Sequence, residues 1–208
     1  MSQDSGRSSG AGAAREAELV ELVDEAGVAR GTTTVELAHR GNGLLHRAFS
    51  VVLLDPAGRI LLQRRAEAKS RFALRWANSC CGHPAPGEPV AVAAARRLAE
   101  ELGISGVALT PAGTFRYRAT DQDSGRVEHE YDHVLFAEVP RGQRFAPDPD
   151  EVAEVRWSTH DQLASDLVAT PDRYAPWLAG VVTTWDTAAR DTVAGGTAAA
   201  DGVRRRQR

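Results

Sequence analysis

Apolar and polar residues alternate in several short segments of the chain, and this two-residue period predicts β-strands. The segment 18–34, ELVELVDEAGVARGTTT, alternates around an Asp-Glu-Ala-Gly turn and predicts a hairpin. In RAFSVVLLDPAGRILLQRR, two apolar runs are joined across residues 55–58, which predicts two neighbouring strands. Further strands are expected at about 106–118, 127–139 and 151–157.

Two other segments have the pattern of helices. The segment 88–102 is rich in alanine with a helical period, and Gly103 is expected to end that helix. A final helical region, 160–185, is interrupted at Pro171 and Pro176, because proline does not fit the interior of a helix. Strands on both sides of a central helix, with more helix behind them, predict an α/β fold in which a mixed β-sheet is sandwiched between α-helices.

Composition sets the size and surroundings of this domain. The 208 residues, 42% of them hydrophobic and 25% charged, suit one globular domain, which we place at residues 16–185. From their composition, we predict that residues 1–15 form a disordered tail and residues 186–208 a flexible one. A net charge of −3 provides no positive field for nucleic acid or an anionic membrane, and no apolar run has the length of a signal or membrane segment. We expect a cytoplasmic protein, monomeric or homodimeric.

The chain has only two cysteines, Cys80 and Cys81, which are adjacent and lie just before His83. A disulfide between neighbours would constrain almost no chain, so a structural disulfide is excluded. A structural zinc site usually needs four Cys and His ligands in paired spacing, which this sequence lacks. A reduced thiol remains, either reactive or merely buried.

The stretch GHPAPGEPVAVAAARRLAEELGI resembles the Nudix signature, in which glutamates hold divalent cations against a diphosphate. The matching residues are Gly82, Glu88, Arg96, Glu100, Glu101, Gly103 and Ile104. Arg97 stands where the signature has a glutamate, so one metal ligand is lost and a cation that can bind phosphate is gained. Taken alone, these charges would equally suit a solvent-exposed helix face.

The segments NSCCGHP, FRYRAT, VEHE and APW, with His39 and His46 upstream, resemble the type I isopentenyl-diphosphate isomerases, which are metal-dependent and have the Nudix fold. The resemblance covers about residues 18–180 and implies one metal site formed by three histidines and two glutamates. These are His39, His46, His83, Glu128 and Glu130. Such ligands suit Mn²⁺ or Zn²⁺ better than Mg²⁺, although Mg²⁺ is a third option. A second ion, Mg²⁺, would bridge Glu101 to the diphosphate of the substrate.

The resemblance also implies an activity, the isomerisation of isopentenyl diphosphate to dimethylallyl diphosphate in isoprenoid biosynthesis. It assigns the two proton transfers to Cys81 and Glu130, with Tyr117 assisting. Trp177 matches the aromatic residue whose π face stabilises a carbocation. The positions expected to bind the diphosphate of this small prenyl substrate are Arg65, Lys69 and Arg97.

The chain departs from the isomerase pattern at three places. Val35 stands where the family commonly has a lysine, residues 72–76 read FALRW rather than WPGVW, and His129 precedes Glu130 where asparagine is usual. Two alternatives therefore stay open. One is a Nudix hydrolase of a nucleoside or prenyl diphosphate, against which Arg97 and Cys81 argue. The other is a non-catalytic Nudix module that binds a diphosphate.

Overall fold

A computed structural model describes residue 12 and residues 14–204, the side chains of residues 192–204 excepted. Nine strands of the described chain form one mixed sheet. The strands are β1 Leu19–Val23, β2 Ala29–Thr34, β3 His46–Leu54, β4 Ile60–Arg65, β5 Trp76–Ala77, β6 Cys80–Gly82, β7 Thr110–Thr120, β8 Val127–Glu138 and β9 Val152–Ser158. The helices are α1 Val35–Ala38, α2 Val90–Leu102, α3 His160–Ala169 and α4 Leu178–Arg204, with a 3₁₀ turn at Pro171–Arg173.

Strand β3 is the centre of the sheet. It pairs in antiparallel fashion with β1, β4 and β6, and in parallel with β8, while β7 pairs with β8 and β9 with β4. The parallel register places His46 opposite Glu130, and the antiparallel register places Ser50 opposite Cys81. Residues that are far apart in the sequence therefore meet at one end of β3.

Helices cover both faces of the sheet. Alternate residues of β3, such as Val51 and Leu53, are buried in a cluster that includes Leu98 of α2. The intervening residues, such as Val52, are buried in a second cluster that includes Leu178 of α4. Complete burial of each of these side chains contributes about 1.5–3 kcal/mol. The predicted fold class, a mixed sheet between helices, is confirmed.

Most predicted elements are present with shifted ends. The first hairpin, the strand pair around residues 55–58 and the long helix are confirmed, although the helix begins at Val90 and the strand expected at 106–118 spans 110–120. Gly103 ends α2 in the left-handed conformation, with φ of 66°, as its position predicted. The sequence did not predict α1, β5 and β6, because two to four residues are too few to show a period.

The structure describes only part of the two predicted tails, residues 1–15 and 186–208. Residues 1–11 and 13 lie outside them, whereas Arg15 is helical and forms an ion pair with Glu151. At the other end, the backbone of α4 is helical through Arg204, beyond the boundary we placed at residue 185, and residues 205–208 lie outside the described chain. The flexibility of residues 186–208 stays a prediction. No described helix combines the length and the hydropathy needed to span a membrane.

Candidate active site

Five side chains from four parts of the fold form one buried cluster at the end of β3. They are His39, His46, His83, Glu128 and Glu130. One potential ligand atom from each residue lies within 4.8 Å of all the others. Nε2 of His39 is 2.7 Å from Oε2 of Glu128, and Nε2 of His83 is 3.0 Å from Oε1 of Glu130. The structure thus brings together all five residues that the resemblance assigned to a metal site.

Backbone geometry explains how these residues meet. Glu128 and Glu130 lie two apart on β8, so both side chains leave the same face of the strand. His46 begins β3 opposite Glu130, and His39 follows the last residue of α1. His83 comes directly after β6, and the pairing of β6 with β3 places His83 near the start of β3.

Hydrogen bonds orient two of the imidazole rings as metal ligands require. Nδ1 of His39 lies 2.6 Å from the carbonyl oxygen of Val35, and Nδ1 of His46 lies 2.7 Å from that of Leu44. Because a carbonyl oxygen can only accept, each Nδ1 carries a hydrogen, which leaves Nε2 as the ring atom that could bind a metal when the ring is neutral. Both Nε2 atoms face the cluster, so the donor set fits a divalent cation.

The cluster is also electrostatically suited to a cation. Burial lowers the pKa of His83 to about 4, in spite of its hydrogen bond to Glu130, so this imidazole is neutral near pH 7. Burial and Glu128 act to raise the pKa of Glu130, but hydrogen bonds with His46 and His83 hold it at about 2. The hydrogen bond and charge of Glu130 act the other way on His46 and raise its pKa in spite of burial. A neutral imidazole at His83 beside an ionised Glu130 is the state in which both side chains can bind a divalent metal.

The two cysteines face opposite sides of β6. Cys80 is fully buried in the cluster beneath α2, whereas Cys81 lines a cavity of about 200 Å³ beside the histidines and glutamates. Gly82 lies between Cys81 and His83, and a Cβ atom there would be 2.9 Å from Cζ of the buried Phe49. Burial, with the nearby carboxyl of Asp132, raises the pKa of Cys81 to about 12, so its resting form is the thiol.

An aromatic wall completes the cavity. Oη of Tyr117 donates a hydrogen bond to Oε2 of Glu130 over 2.5 Å, because Tyr117 on β7 is directly opposite Glu130 on β8. The ring of Trp177 lies 5.8 Å from that of Tyr117 and 5.3 Å from that of Phe72, measured between centroids. All four residues assigned to catalysis, Cys81, Glu130, Tyr117 and Trp177, therefore line one cavity.

The three cations assigned to the diphosphate, Arg65, Lys69 and Arg97, line the same cavity. Arg65 donates to the carbonyl oxygens of residues 71 and 72 and lies over the ring of Trp177, at 5.4 Å. Lys69 pairs with Glu151, and burial lowers the pKa of Lys69 to about 7.

Glu101, like His39 and His46, is not on the cavity wall, and it lies apart from the five clustered side chains. It is almost fully buried on α2 and accepts hydrogen bonds from Arg97 and from Nε2 of Gln63. Arg97 also binds Glu100, at 2.5 Å, and Glu151, at 3.3 Å. The guanidinium that replaces a glutamate of the signature is thus surrounded by carboxylates.

Sequence reasoning missed three residues next to the assigned set. Arg71 donates to Glu128 at 2.9 Å, and Glu151 pairs with cations of the cavity wall. Asn78 belongs to the quoted segment NSCCGHP but had received no role, although its side chain contacts both Cys81 and Trp177. Arg71 and Glu151 have partners more than 50 residues away, which no local pattern could reveal.

Comparisons with known proteins identify the family of this chain. Residues 44–178 match the model of the NUDIX domain. The isopentenyl-diphosphate Delta-isomerase of Nocardia farcinica is 57% identical over 173 residues, which cover 83% of this chain and 97% of the relative. That of Halorhodospira halophila is 44% identical, covering 77% and 91%.

Solved structures support the fold. A protein from Deinococcus radiodurans matches with a TM-score of 0.65 at 18% identity, covering 81% of this chain and 99% of its own. A MutT protein from Methanosarcina mazei matches with a TM-score of 0.54 at 18% identity, covering 71% and 95%. From the family model and the sequence relatives together, this chain belongs to the NUDIX family and, within it, to the isopentenyl-diphosphate Delta-isomerases.

Proposed function

We propose that the protein isomerises isopentenyl diphosphate to dimethylallyl diphosphate, as the names of its relatives indicate. The observation that supports this most is the placement of two separate proton-handling groups in one cavity. Cys81 is on β6, and the Tyr117–Glu130 pair is on β7 and β8. Moving a double bond by one carbon requires one proton to be added and another removed, and two such groups meet that need.

In this proposal each group acts on a different carbon of the substrate. One of the two groups, the thiol of Cys81 or the carboxyl of Glu130, adds a proton to the substrate, and the other removes a proton from a different carbon. The phenol of Tyr117 holds the carboxyl in place through its hydrogen bond. Between the two transfers the substrate is a tertiary carbocation. The π face of Trp177 stabilises that cation without forming a bond to it, and the packed aromatic wall keeps water away.

The metal ligands proposed are the five clustered side chains. Three nitrogens and two carboxylates suit Mn²⁺ or Zn²⁺, with Mg²⁺ as the third option. The bound ion would supply positive charge that keeps the cluster together and fixes the carboxyl of Glu130. For a second ion, Mg²⁺, we propose Glu101 as the protein ligand. Its carboxylate would have to release Arg97 to bind that ion.

For the diphosphate we propose Arg65, Lys69 and Arg97 as ligands, since all three line the cavity. Their present partners are protein oxygens, which the substrate's phosphate oxygens would partly replace. Val35 lies on the same wall and offers no charge, so the positive charge there must come from other residues of the cavity wall. Cytoplasmic location and a monomeric or homodimeric state stay predictions.

One assay separates this function from its alternatives. The purified protein is incubated with divalent metal and isopentenyl diphosphate in D₂O, and the products are analysed for dimethylallyl diphosphate, deuterium and released phosphate. Isomer that carries deuterium, without phosphate, is the expected result. Phosphate release would indicate a hydrolase, and no turnover at all would indicate a binding module; either result contradicts the proposal.

A further inference from the structure

The side chain of Asn78 lies behind the cavity, fully buried, between Cys81 and Trp177. Its amide nitrogen donates to the carbonyl oxygens of Val51, at 3.2 Å, and Cys80, at 2.8 Å. Two carbonyl acceptors on that side can be satisfied only by the NH₂ group, so the orientation of the amide is determined by its surroundings. The oxygen, Oδ1, must then face the other way.

Oδ1 of Asn78 accepts two hydrogen bonds from the cavity wall. The thiol of Cys81 donates to it over 3.1 Å, and Nε1 of Trp177 donates to it over 3.1 Å. One oxygen atom therefore holds both the sulfur that is proposed to transfer a proton and the ring that is proposed to stabilise the cation. Cys81 and Trp177 are 96 positions apart in the chain, so their relative position depends on such a shared contact.

We propose that Asn78 is a positioning residue for the isomerisation, which fixes the sulfur of Cys81 and the indole of Trp177 at a constant distance from each other. Asn78 does not line the cavity and so does not contact the substrate. Its effect is expected on kcat and not on KM, because reactions depend steeply on the placement of the reacting groups. This inference rests on the proposed function as far as the kinetics are concerned, but the hydrogen bond itself can be measured without substrate.

The neighbouring residue provides a matched control. Ser79 is also fully buried in the same loop, and its hydroxyl donates to Leu61 O at 2.7 Å and accepts from Leu53 N at 2.8 Å. Neither of these hydrogen bonds involves Cys81 or Trp177. Ser79→Ala thus removes buried hydrogen bonds from this loop while the contacts of Asn78 with the cavity wall remain.

The experiment combines infrared spectroscopy with kinetics. In a Cys80→Ala background only one thiol is left, so the S–H stretching band reports on Cys81 alone. We expect this band below the frequency of a thiol without a hydrogen bond, an upward shift in Asn78→Ala, and no shift in Ser79→Ala. We also expect Asn78→Ala to lower kcat by about 10- to 100-fold with KM changed by no more than about twofold.

Three results would overturn the proposal. They are a free-thiol frequency in the Cys80→Ala protein, unchanged kcat in Asn78→Ala, and an equal loss of kcat in Ser79→Ala. The first of these, the S–H frequency of the Cys80→Ala protein, can be measured even if Asn78→Ala fails to fold. Absence of isomerase activity in the unmodified protein would instead contradict the proposed function. The shift of the infrared band on Asn78→Ala would still decide whether Asn78 holds the thiol, because Oγ of Ser50, at 3.7 Å from the sulfur, is unchanged in that variant.

Discussion

The opposite orientations of Cys80 and Cys81 lead to a sharp prediction. Cys81 pairs with Ser50 and Cys80 with Val51 on β3, and successive residues of β3 face opposite sides of the sheet. Cys80 therefore packs beneath α2, and Cys81 lines the cavity. Replacing each by alanine removes one sulfur atom, but from two different environments.

The magnitudes follow from these environments. In Cys80→Ala the missing sulfur leaves a cavity of about methyl size, which costs about 1 kcal/mol and lowers Tm by about 2–4 °C in a domain of this size. Activity should be largely retained. In Cys81→Ala a positioned acid or base is lost, and we expect turnover to fall by at least about 10²-fold, equivalent to about 2.7 kcal/mol in the activation free energy.

The assay measures dimethylallyl diphosphate formation, metal content and thermal unfolding for both variants. Metal content should be the same in both, because neither cysteine belongs to the cluster of histidines and glutamates. An epoxide analogue of the diphosphate should label Cys81 and leave Cys80 unmodified. If Cys80→Ala were the inactive protein and Cys81→Ala the active one, the assignment of the reactive thiol would be wrong.

Three further predictions concern the metal cluster, the glycine at the end of β6 and the stability of the fold in acid. His46→Ala should lower metal content and activity together, and full metal content by elemental analysis would remove His46 from the site. Gly82→Ala should cost about 1–3 kcal/mol in unfolding free energy through contact with Phe49, and Phe49→Leu should be less destabilising in that variant than in the unmodified protein. Burial raises the pKa of Asp121, but hydrogen bonds from neighbouring donors, including the amide of Phe72, lower it overall. A lowered pKa in the folded protein means that ionised Asp121 stabilises the fold. This contribution to the free energy of unfolding is complete above the pKa of aspartate in the unfolded chain and is lost as pH falls through the pKa of Asp121 in the folded protein. Asp121→Asn should therefore make the free energy of unfolding depend less on pH on the acid side.

Periodic features of the chain were predictable, and contacts between distant segments were not. The alternation of β8 correctly predicted that Glu128 and Glu130 face the same way, and Gly103 correctly predicted the end of α2. The prediction that the five metal-site residues lie together rested on the family resemblance and not on a periodic pattern. Nothing local could predict that Asn78 contacts Trp177, because the packing of α4 against the sheet creates that contact.

In the proposed function, the position of Arg97 accounts for an isomerase that carries a hydrolase signature. Hydrolysis of a diphosphate depends on free carboxylates that concentrate divalent cations and activate water. Here Arg97 forms ion pairs with three carboxylates, those of Glu100, Glu101 and Glu151. The five clustered histidines and glutamates lie instead at the end of β3, beside Tyr117. In the proposed function, an ion held by this cluster would lie next to Cys81 and Tyr117, where it could fix the carboxyl of Glu130 without placing a water molecule against the diphosphate.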